Sequence, residues 1–457
     1  MNRKNFLQKL SLALPTVLLS PAVLSSGCKP TTDPNSDTKK KTVVIIGAGI
    51  AGLGAARTLK NKGFTVIVLE ARARTGGRIF TDRSLGSPMD MGASWIHGID
   101  GNPLGSLAEE AGAFLFQTND NSLVVYDRNG NKVSDTSLTA YENAYANLIS
   151  GINNTGTVQK SVRQAVQDLN PSYLLDDMMV WQLTTNMEFN TGGAIEQLSS
   201  KYWEDDLAFP GKDKLFPNGY DAIIRTLESG LDIRKGTVVK SIDYGSSDIT
   251  VRTADGEVKG DFCICTAPLG VLKKGSIGFA PALPSVITDS WNKIQMGAVN
   301  KVVLLFSNLS RFWDDVQYIG YTDPTKGKFP YFMNIKKFSP NVNGLMTFAL
   351  GSYAATMETQ TDAQITADIM VTLKKIYGNN IPNPTQTLVS RWSADKFAYG
   401  AYSYASVNST PQDFNNMALS VQNKLFFAGE HTSHDYRGTV HGAYLSGVAA
   451  ANSVANQ

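Results

Sequence analysis

Short apolar runs, punctuated by glycine or polar turns, recur along the chain and predict strands. Residues 43–46 form the first run, residues 54–59 then place small and apolar side chains at helical spacing, and residues 65–69 form a second run. Strand, helix and strand in this order make the unit of a parallel sheet. Further strand-like runs lie at residues 237–242, 249–252, 261–266, 302–306 and 424–427. The pattern predicts an α/β fold.

Helical spacing prevails from about residue 98 to residue 214, where residues 137–149 and 157–168 are the clearest segments. Another helix pattern begins near Gly438 and is rich in small side chains. A chain of 457 residues is too long for one ordinary core. The helix-rich stretch is therefore assigned to a second domain beside the strand-rich one.

The turn after the first strand carries Gly47, Gly49 and Gly52 in the spacing G-x-G-x-x-G, and Glu70 follows 18 residues after Gly52. The first glycine allows a tight turn, the second lets the backbone approach a pyrophosphate, and the third lets helix and strand pack closely. The helix N-terminus favours phosphate charge. The motif predicts a dinucleotide site, with Glu70 on the ribose; a glycine-rich turn in another α/β fold is the alternative.

Composition describes a globular protein, with 42% hydrophobic and 18% charged residues. The formal net charge is +2, and it becomes about −1 once the three basic residues of the first 27 positions are set aside. This balance gives no indication of a nucleic-acid partner.

The first 28 residues resemble an export signal. Arg3, Lys4 and Lys9 precede an apolar stretch at residues 10–24 that is too short to span a bilayer comfortably. The start is similar to a twin-arginine signal, and residues 24–28 are similar to a bacterial lipobox ending at Cys28. We expect export to the periplasm with Cys28 lipidated and residues 29–41 as a linker. Cleavage nearby, giving a soluble periplasmic protein, is the alternative.

The remaining cysteines, Cys263 and Cys265, stand two apart in a strand-like run. Residues at this spacing point to one face of a strand but lie about 6.5–7 Å apart, which is poor geometry for a disulfide. We expect buried free thiols, no structural disulfide and no metal site.

An Arg-x-Gly-Gly-Arg loop at residues 74–78 follows Glu70, and the sequence Asp-Met-Gly-Ala-Ser-Trp-Ile-His-Gly follows at residues 90–98. The loop glycines permit close backbone approach, and its guanidiniums can bind phosphate oxygens with two hydrogen bonds. Here the sequence resembles the flavin-dependent amine oxidases, and within them the branch of polyamine oxidases, spermine oxidases and lysine-specific histone demethylases. The resemblance runs from Thr42 to Val454 and implies FAD. We expect FAD to be non-covalent, because that branch lacks the covalent linkage and no cysteine follows Cys265.

The resemblance also implies how the chain is divided. A Rossmann-type FAD-binding domain is expected to be assembled from three separated segments, residues 42–97, 215–284 and 392–457. An α+β substrate-binding domain is expected from residues 98–214 and 285–391. In this family the helix after Gly438 points its N-terminus at the flavin, where the helix dipole stabilises negative charge.

Carrying the family's FAD contacts over by position adds candidate cofactor-binding residues to the three glycines: Glu70, Arg72, Arg78, Ser94, Trp95, Val239, Glu430, Thr439 and Val440. Glu430 is a candidate partner for ribose or ribityl hydroxyls, because a carboxylate can accept from two of them. An ordinary acid at a strand end is the alternative. At Thr439 the monoamine branch has a tyrosine, so a complete aromatic cage is not expected.

Lys301 is the main candidate catalytic residue. It directly precedes the apolar run 302–306, where a buried ammonium is costly unless it has partners. The resemblance implies that this lysine holds a water beside flavin N5. Without the resemblance, a lysine capping a strand in solvent would be the better interpretation.

Further side chains are implied to face the substrate. Trp392 falls where an aromatic ring packs against the flavin edge, and Tyr402 falls where one faces the amine. His97 either orients the substrate or makes a structural hydrogen bond. Glu188 and the acidic residues 204–206 lie where relatives present acids to a polycation, although an acidic run alone is more typical of a solvated surface.

The implied activity is oxidation of a polyamine or a related primary or secondary amine. The neutral amine passes a hydride from its α-carbon to flavin N5, the imine hydrolyses to an aldehyde and a smaller amine, and O2 reoxidises the flavin to give hydrogen peroxide. One alternative is an L-amino-acid oxidase, which needs an arginine for the substrate carboxylate. The other is a non-catalytic FAD-binding protein.

Overall fold

The structure is a computed structural model that describes residues 40–154, 159–307, 309 and 311–457. The predicted export signal, Cys28 and all but the last two residues of the predicted linker lie outside the described residues. Among the helices of the described part, none is long and apolar enough to cross a bilayer.

Strands come from every region of the described chain. In order they are β1 (Thr42–Ile46), β2 (Thr65–Leu69), β3 (Thr81–Asp82), β4 (Met89–Asp90), β5 (Trp95–Ile96), β6 (Phe116–Gln117), β7 (Leu123–Tyr126), β8 (Lys214–Leu215), β9 (Asp232–Arg234), β10 (Val239–Asp243), β11 (Ile249–Thr253), β12 (Gly256–Gly260), β13 (Phe262–Cys265), β14 (Gly278–Ala280), β15 (Gln295–Met296), β16 (Val299–Leu305), β17 (Tyr318–Tyr321), β18 (Lys328–Asn334), β19 (Gly344–Leu350), β20 (Gln386–Val389), β21 (Ser403–Tyr404) and β22 (Leu425–Phe427).

Helices lie between these strands. In order they are α1 (Ile50–Asn61), α2 (Pro103–Glu110), α3 (Asp135–Asn154), α4 (Val162–Leu169), α5 (Asp177–Leu183), α6 (Phe189–Thr191), α7 (Asp221–Glu228), α8 (Leu269–Lys273), α9 (Ser285–Lys293), α10 (Gly351–Met357), α11 (Asp362–Tyr377), α12 (Pro411–Met417) and α13 (Val440–Ala455). A π-helical turn at Thr184–Glu188 joins α5 to α6.

One sheet is parallel throughout, with the strand order β22–β13–β1–β2–β9. Its central strand β1 is almost wholly buried, because helices and loops cover both faces of a parallel sheet. The predicted strands at residues 43–46, 65–69, 261–266 and 424–427 are confirmed as members of this sheet. Its edge strand β9 was not predicted, since three residues of which two are charged and exposed carry no apolar run.

Helices α1 and α13 cross on this sheet at very close range. A Cβ added to Gly447 of α13 would lie 2.0 Å from the carbonyl oxygen of Ala51 in α1. Only hydrogen fits there, which explains the glycine at position 447 of α13.

A second sheet has six strands in the order β20–β16–β19–β18–β17–β7, antiparallel except for the parallel pair of β17 and β7. The strand predicted at residues 302–306 is β16, but it begins earlier, at Val299. Lys301 is therefore the third residue of the strand and does not precede it. Its neighbours Val302 and Leu304 belong to the core that includes Ile365 and Ile369 of α11, so the lysine points to the opposite face.

Residues 98–214 contain several helices, as the sequence predicts. Helix α3 covers the segment predicted at residues 137–149 and extends to Asn154, whereas α4 begins at Val162, after the predicted start at residue 157. A third sheet, in the order β12–β11–β10–β14, accounts for the predicted runs at 237–242 and 249–252.

Candidate active site

A cavity of about 500 Å³ extends from the turn between β1 and α1 to strand β16. This volume lies within the range of small-molecule and cofactor sites. Fifteen of the sixteen predicted site residues line it: Gly47, Gly49, Glu70, Arg72, Arg78, Ser94, Trp95, His97, Val239, Lys301, Trp392, Tyr402, Glu430, Thr439 and Val440. Residues drawn from positions 47 to 440 thus meet around one space.

Gly52 is the exception. A Cβ on Gly52 would lie 2.0 Å from the carbonyl oxygen of Gly47, so this glycine serves helix packing and does not face the cavity. Gly49 is the opposite case, because a Cβ there would meet no atom within 4 Å. Gly47 has φ +98, a conformation that favours glycine and that closes the turn. Gly47 and Gly52 thus have the turn and packing geometry that the motif predicts, while approach of a pyrophosphate to Gly49 stays a prediction.

Glu70 closes the dinucleotide end of the cavity. Its carboxylate accepts hydrogen bonds from the backbone N–H groups of Ala48, at 2.7 Å, and Arg72, at 2.8 Å. These two bonds tie the end of β2 to the glycine turn and hold the carboxylate at the cavity wall. A carboxylate has four lone-pair sites, so two remain for a ligand's hydroxyls. Open space at Gly49, the helix N-terminus and a fixed acid together fit a dinucleotide.

The two predicted arginines reach the cavity but are already paired. Arg72 binds both carboxylate oxygens of Asp395, at 2.8 and 3.0 Å. Arg78 donates from Nη1 to Glu430 at 2.7 Å and to the carbonyl of Ala401 at 2.9 Å. Carboxylates thus occupy the paired donors of Arg72 and one nitrogen of Arg78. Contact of these two residues with FAD, and phosphate binding by the loop at residues 74–78, stay predictions.

Glu430 is held more firmly than a surface acid would be. Besides Arg78, the Ser403 hydroxyl donates to Oε2 at 2.5 Å and the Gly438 N–H at 3.0 Å. Burial alone would raise the pKa of Glu430, but the charge of Arg78 and these hydrogen bonds lower it. Glu430 is therefore an ionised carboxylate on the cavity wall. Its role as a partner for ribose or ribityl hydroxyls stays a prediction beside the alternative of an ordinary acid at a strand end.

Lys301 is 5% exposed and aims its ammonium at the loop between β4 and β5. Nζ donates to the carbonyl of Asp90 at 2.8 Å, to the carbonyl of Gly92 at 2.6 Å and to the hydroxyl of Ser94. Burial lowers its pKa, and the charge of Asp90 opposes that change. The interpretation of Lys301 as a solvent-facing cap is thereby excluded.

Aromatic side chains form the wall around Lys301. Trp392 donates from Nε1 to the carbonyl of Met91 at 2.9 Å, and the Tyr402 hydroxyl donates to the carbonyl of Phe189. The Phe189 ring packs edge-on against Phe348, with ring centroids 5.0 Å apart. Phe189 and Phe348 line the cavity and were not predicted. Neither has a local signal, because each reaches the cavity only through the packing of its helix or strand.

Thr439 caps helix α13, which begins at Val440. Its hydroxyl accepts from the N–H of Gly442 at 3.0 Å and donates to the carbonyl of Tyr436 at 2.7 Å. Both Thr439 and Val440 line the cavity, so the N-terminus of α13 faces it. A helix N-terminus stabilises negative charge that lies next to it on the helix axis.

A side chamber of about 30 Å³ adjoins the main cavity. Both spaces share the lining residues Trp95, His97, Phe189 and Asn190. The chamber adds two carboxylates and several aromatic and hydroxyl side chains: Thr118, Asp120, Leu123, Trp181, Thr185, Asp213, Tyr318 and Tyr331. No lysine or arginine is found among the described residues that line it. Its volume suits a water or an ammonium group.

His97 connects the two spaces. Its Nδ1 lies 2.9 Å from Oδ2 of Asp213, while the N–H of Gly98 donates to Oδ1 at 2.9 Å. Burial alone would raise the pKa of Asp213, but these partners lower it. The predicted hydrogen bond of His97 is thus present, and because the ring also lines both cavities, its two predicted roles are compatible.

The remaining predicted acids do not reach either cavity. Glu188 is buried and pairs with Lys326 at 2.7 Å. Asp205 pairs with Arg437 at 2.7 Å, and Asp206 lies 3.6 Å from the same guanidinium. These acids pair with the half-buried Lys326 and the buried Arg437 of the protein itself, so their suggested role as polycation ligands is not supported by their positions.

The sequence is similar to known proteins over most of its length. The model of a family described as flavin containing amine oxidoreductase matches residues 50–455. Polyamine oxidase 4 of Oryza sativa subsp. japonica is 35% identical over 432 residues, covering 90% of this chain and 88% of its own. Polyamine oxidase 2 of Arabidopsis thaliana is 34% identical over 436 residues, covering 91% and 88%. Lysine-specific histone demethylase 1 homolog 1 of Arabidopsis thaliana is 36% identical over 442 residues, covering 90% and 52%.

Proposed function

The chain belongs to the flavin containing amine oxidoreductase family, and on that premise we propose that it oxidises a polyamine or a related amine. Membership confirms the resemblance seen in the loops at residues 74–78 and 90–98. The protein is thus a flavin amine oxidoreductase, with FAD as its cofactor and an FAD-binding and a substrate-binding domain. The observation that carries the finer proposal is the single cavity that joins the dinucleotide turn to Lys301, Trp392 and Tyr402.

FAD would occupy the cavity with its dinucleotide portion at Gly49 and Glu70 and its flavin near Lys301. Glu430 would bind ribityl or ribose hydroxyls, and the N-terminus of α13 would face the flavin ring. Bound in this way, FAD supplies the acceptor for a hydride from the amine's α-carbon. We propose non-covalent binding, because the two cysteines of the described chain are buried in β13 and do not line the cavity.

The protein side chains would orient the amine and control the charge beside it. Tyr402 and Trp392 would confine the reacting carbon, and their positions are fixed by hydrogen bonds to Phe189 and Met91. Lys301 would hold a water for hydrolysis of the imine or for the step with O2. Since its three acceptors match the three donors of an ammonium, such a water would replace one of them. The Ser94 hydroxyl is the one side-chain acceptor of the three.

The side chamber favours a polyamine over the alternative L-amino acid. Two carboxylates and aromatic faces attract a second ammonium group through charge and cation–π contacts. An L-amino-acid oxidase would need an arginine for the substrate carboxylate. Arg72 and Arg78 are the arginines that line the main cavity in the described chain, and both already bind carboxylates.

The three-segment assembly predicted from the resemblance is proposed for the domains. The parallel sheet takes strands from residues 42–97, 215–284 and 392–457, while the six-stranded sheet takes strands from residues 98–214 and 285–391. The strand content of each segment supports this division.

Hydrogen peroxide release on adding spermidine, compared with a panel of L-amino acids, tests the function. We expect peroxide with spermidine only. Peroxide with an amino acid would favour the alternative oxidase, and no flavin reduction by any amine would favour the non-catalytic alternative.

The non-covalent binding of FAD has a separate test. Acid precipitation should release yellow flavin into the supernatant, whereas colour retained in the pellet would indicate a covalent bond.

The chamber has its own test. Asp213→Asn and Asp120→Asn should each lower kcat/KM for spermidine by roughly 10–150-fold, since a hydrogen bond to a charged group is worth about 1.5–3 kcal/mol. A monoamine of similar reactive end should be affected much less, because it places no second ammonium there. Equal losses for both substrates would contradict the chamber's role.

We also propose that the protein is exported and anchored through Cys28, on the basis of the basic and apolar leader at residues 1–28. Expressed from its own leader in a bacterium, the wild type should fractionate with membranes, and Cys28→Ser should be found in a soluble fraction. Soluble wild-type protein with a different N-terminus would contradict the anchor and support simple cleavage.

A further inference from the structure

The charge of the Lys301 ammonium is not balanced by the groups that it binds directly. The carbonyls of Asp90 and Gly92 and the hydroxyl of Ser94 accept its hydrogen bonds, but they carry no net charge. The rings of Trp95 and Phe348 lie 5.5 and 5.8 Å from Nζ and are likewise neutral. A buried ammonium without a counter-charge would tend to lose its proton.

Asp90 supplies a carboxylate on the same residue whose carbonyl Lys301 binds. The Thr81 hydroxyl donates to Oδ1 of Asp90 at 2.5 Å, and the backbone nitrogen of Tyr220 lies 3.0 and 3.2 Å from the two carboxylate oxygens. These donors belong to β3 and to the residue before α7, so the carboxylate is held from two separate elements. Both donors stabilise its charged form.

Asp221 and Arg83 also face Asp90, but they are bound to each other through both oxygens of the Asp221 carboxylate. Asp221 lies close enough to disfavour the charge on Asp90, but Arg83 and Arg225 bind Asp221 at 2.8 and 2.5 Å. Lys301 is therefore the cation that remains for Asp90 in the described surroundings. Burial lowers the pKa of Lys301 and raises the pKa of Asp90, and each charge counteracts the shift of the other.

We propose that Asp90 is the counter-ion of Lys301 and acts as a positioning residue for it. Thr81 and Tyr220 hold the Asp90 carboxylate, and the carboxylate keeps the Lys301 ammonium protonated and bound to the loop at the cavity wall. The purpose of this ammonium rests on the proposed function. The pairing is a property of the folded chain, and it can be measured without any substrate.

A double-mutant cycle on the full-length holoprotein tests the pairing through thermal unfolding at fixed FAD concentration. Asp90→Asn keeps the size of the side chain and removes its charge, so we expect a loss of about 2–6 °C in Tm at pH 7. Adding Asp90→Asn to Lys301→Met should cost much less, because no ammonium remains to be balanced. If Asp90→Asn alone does not fold, the double variant should restore soluble protein.

The pH dependence separates charge pairing from a merely structural role. Because the pKa of Lys301 is lowered in the folded state, the folded protein binds this proton less well than the unfolded chain, so stability rises with pH as Lys301 deprotonates. The deficit of Asp90→Asn should therefore be largest near neutral pH and shrink in alkaline buffer. In the Lys301→Met background the deficit should not change with pH.

Additive losses in the cycle, or an Asp90→Asn deficit that is the same at neutral and alkaline pH, would overturn the pairing. Thr81→Val serves as a matched control, since it removes the hydrogen bonds that the Thr81 hydroxyl donates to Asp90 and accepts from the N–H of Asp221 while leaving both charges. Its loss should be similar in the wild-type and Lys301→Met backgrounds. These readouts involve no amine, so failure of the polyamine proposal would leave them unchanged.

Discussion

Replacing Gly49 by alanine should separate binding of FAD from stability of the fold. A Cβ at this position meets no protein atom within 4 Å, and the backbone has φ −74, which any residue adopts. The space that the Cβ would enter belongs to the cavity. Gly52→Ala is the matched control, because its Cβ would lie 2.0 Å from the carbonyl oxygen of Gly47 inside the protein.

The two variants should differ in their effects on stability and on FAD binding. At the N-cap of α1, alanine is worse than glycine by about 0.5–1 kcal/mol, but it also reduces the entropy of the unfolded chain by about 0.4–1 kcal/mol. Gly49→Ala should therefore leave apoprotein stability nearly unchanged. Loss of one charge-assisted hydrogen bond to the pyrophosphate, about 1.5–3 kcal/mol, should weaken FAD binding by about 10–150-fold. Gly52→Ala should lower stability by about 1–3 kcal/mol or more through overpacking.

The assay has two parts: thermal unfolding of flavin-free protein, and titration of that protein with FAD followed by quenching of flavin fluorescence. Gly49→Ala should change only the titration, and Gly52→Ala should change both. A wild-type Kd for Gly49→Ala would refute the placement of the pyrophosphate at this turn. A Tm loss for Gly49→Ala equal to that of Gly52→Ala would refute the claim that the fold leaves room there.

Lys301→Met should keep the visible spectrum of bound FAD but lower turnover by about 10²–10³-fold. Stopped-flow measurement of anaerobic flavin reduction and of aerobic reoxidation would identify the affected step. Wild-type rates in both half-reactions would show that the lysine is structural. Turnover of spermidine should rise from neutral to alkaline pH, because the amine must lose its proton before hydride can leave the adjacent carbon; a flat profile with chemistry rate-limiting would contradict this. Burial lowers the pKa of His431 to about 4, so between roughly pH 6.5 and 4 the unfolded chain binds a proton that the folded protein does not. Stability should fall by roughly 2 kcal/mol between about pH 7 and about pH 5, and His431→Asn should show a smaller fall; an equal fall in both would assign acid lability elsewhere.

The dinucleotide motif could be predicted from the sequence because it depends on residues that are close together in the chain. The glycines of the first turn, the helix behind them and Glu70 at the end of β2 all lie within 24 positions, from Gly47 to Glu70. Backbone sterics and the period of apolar side chains are enough to place these elements. The same reasoning missed β9, since a short charged edge strand has no apolar period.

The resemblance extended the prediction to residues far apart in sequence, and the structure shows fifteen of the predicted site residues around one cavity. The partners of these residues within the protein were not predicted. Arg72 and Arg78 were predicted as FAD contacts, and their partners within the protein, Asp395 and Glu430, lie more than 300 positions away. Such pairings depend on how strands and loops of separate segments meet, which no local pattern records.

Only the tertiary structure decided the surroundings of Lys301 and the shape of the substrate space. The sequence determined that a lysine stands at the edge of an apolar run, where either a solvent-facing cap or a buried ammonium is consistent with the pattern. Whether the lysine is buried depends on β4 and β5, which precede it in the sequence, and on β19, which follows it. Asp90 and Ser94 lie in or beside the first two strands and Phe348 lies in the third, and all three residues surround the lysine. The side chamber likewise exists because His97 and Asp213, 116 positions apart, meet across two short strands. Desolvation and charge pairing act through space, so their outcome is set by the packed fold.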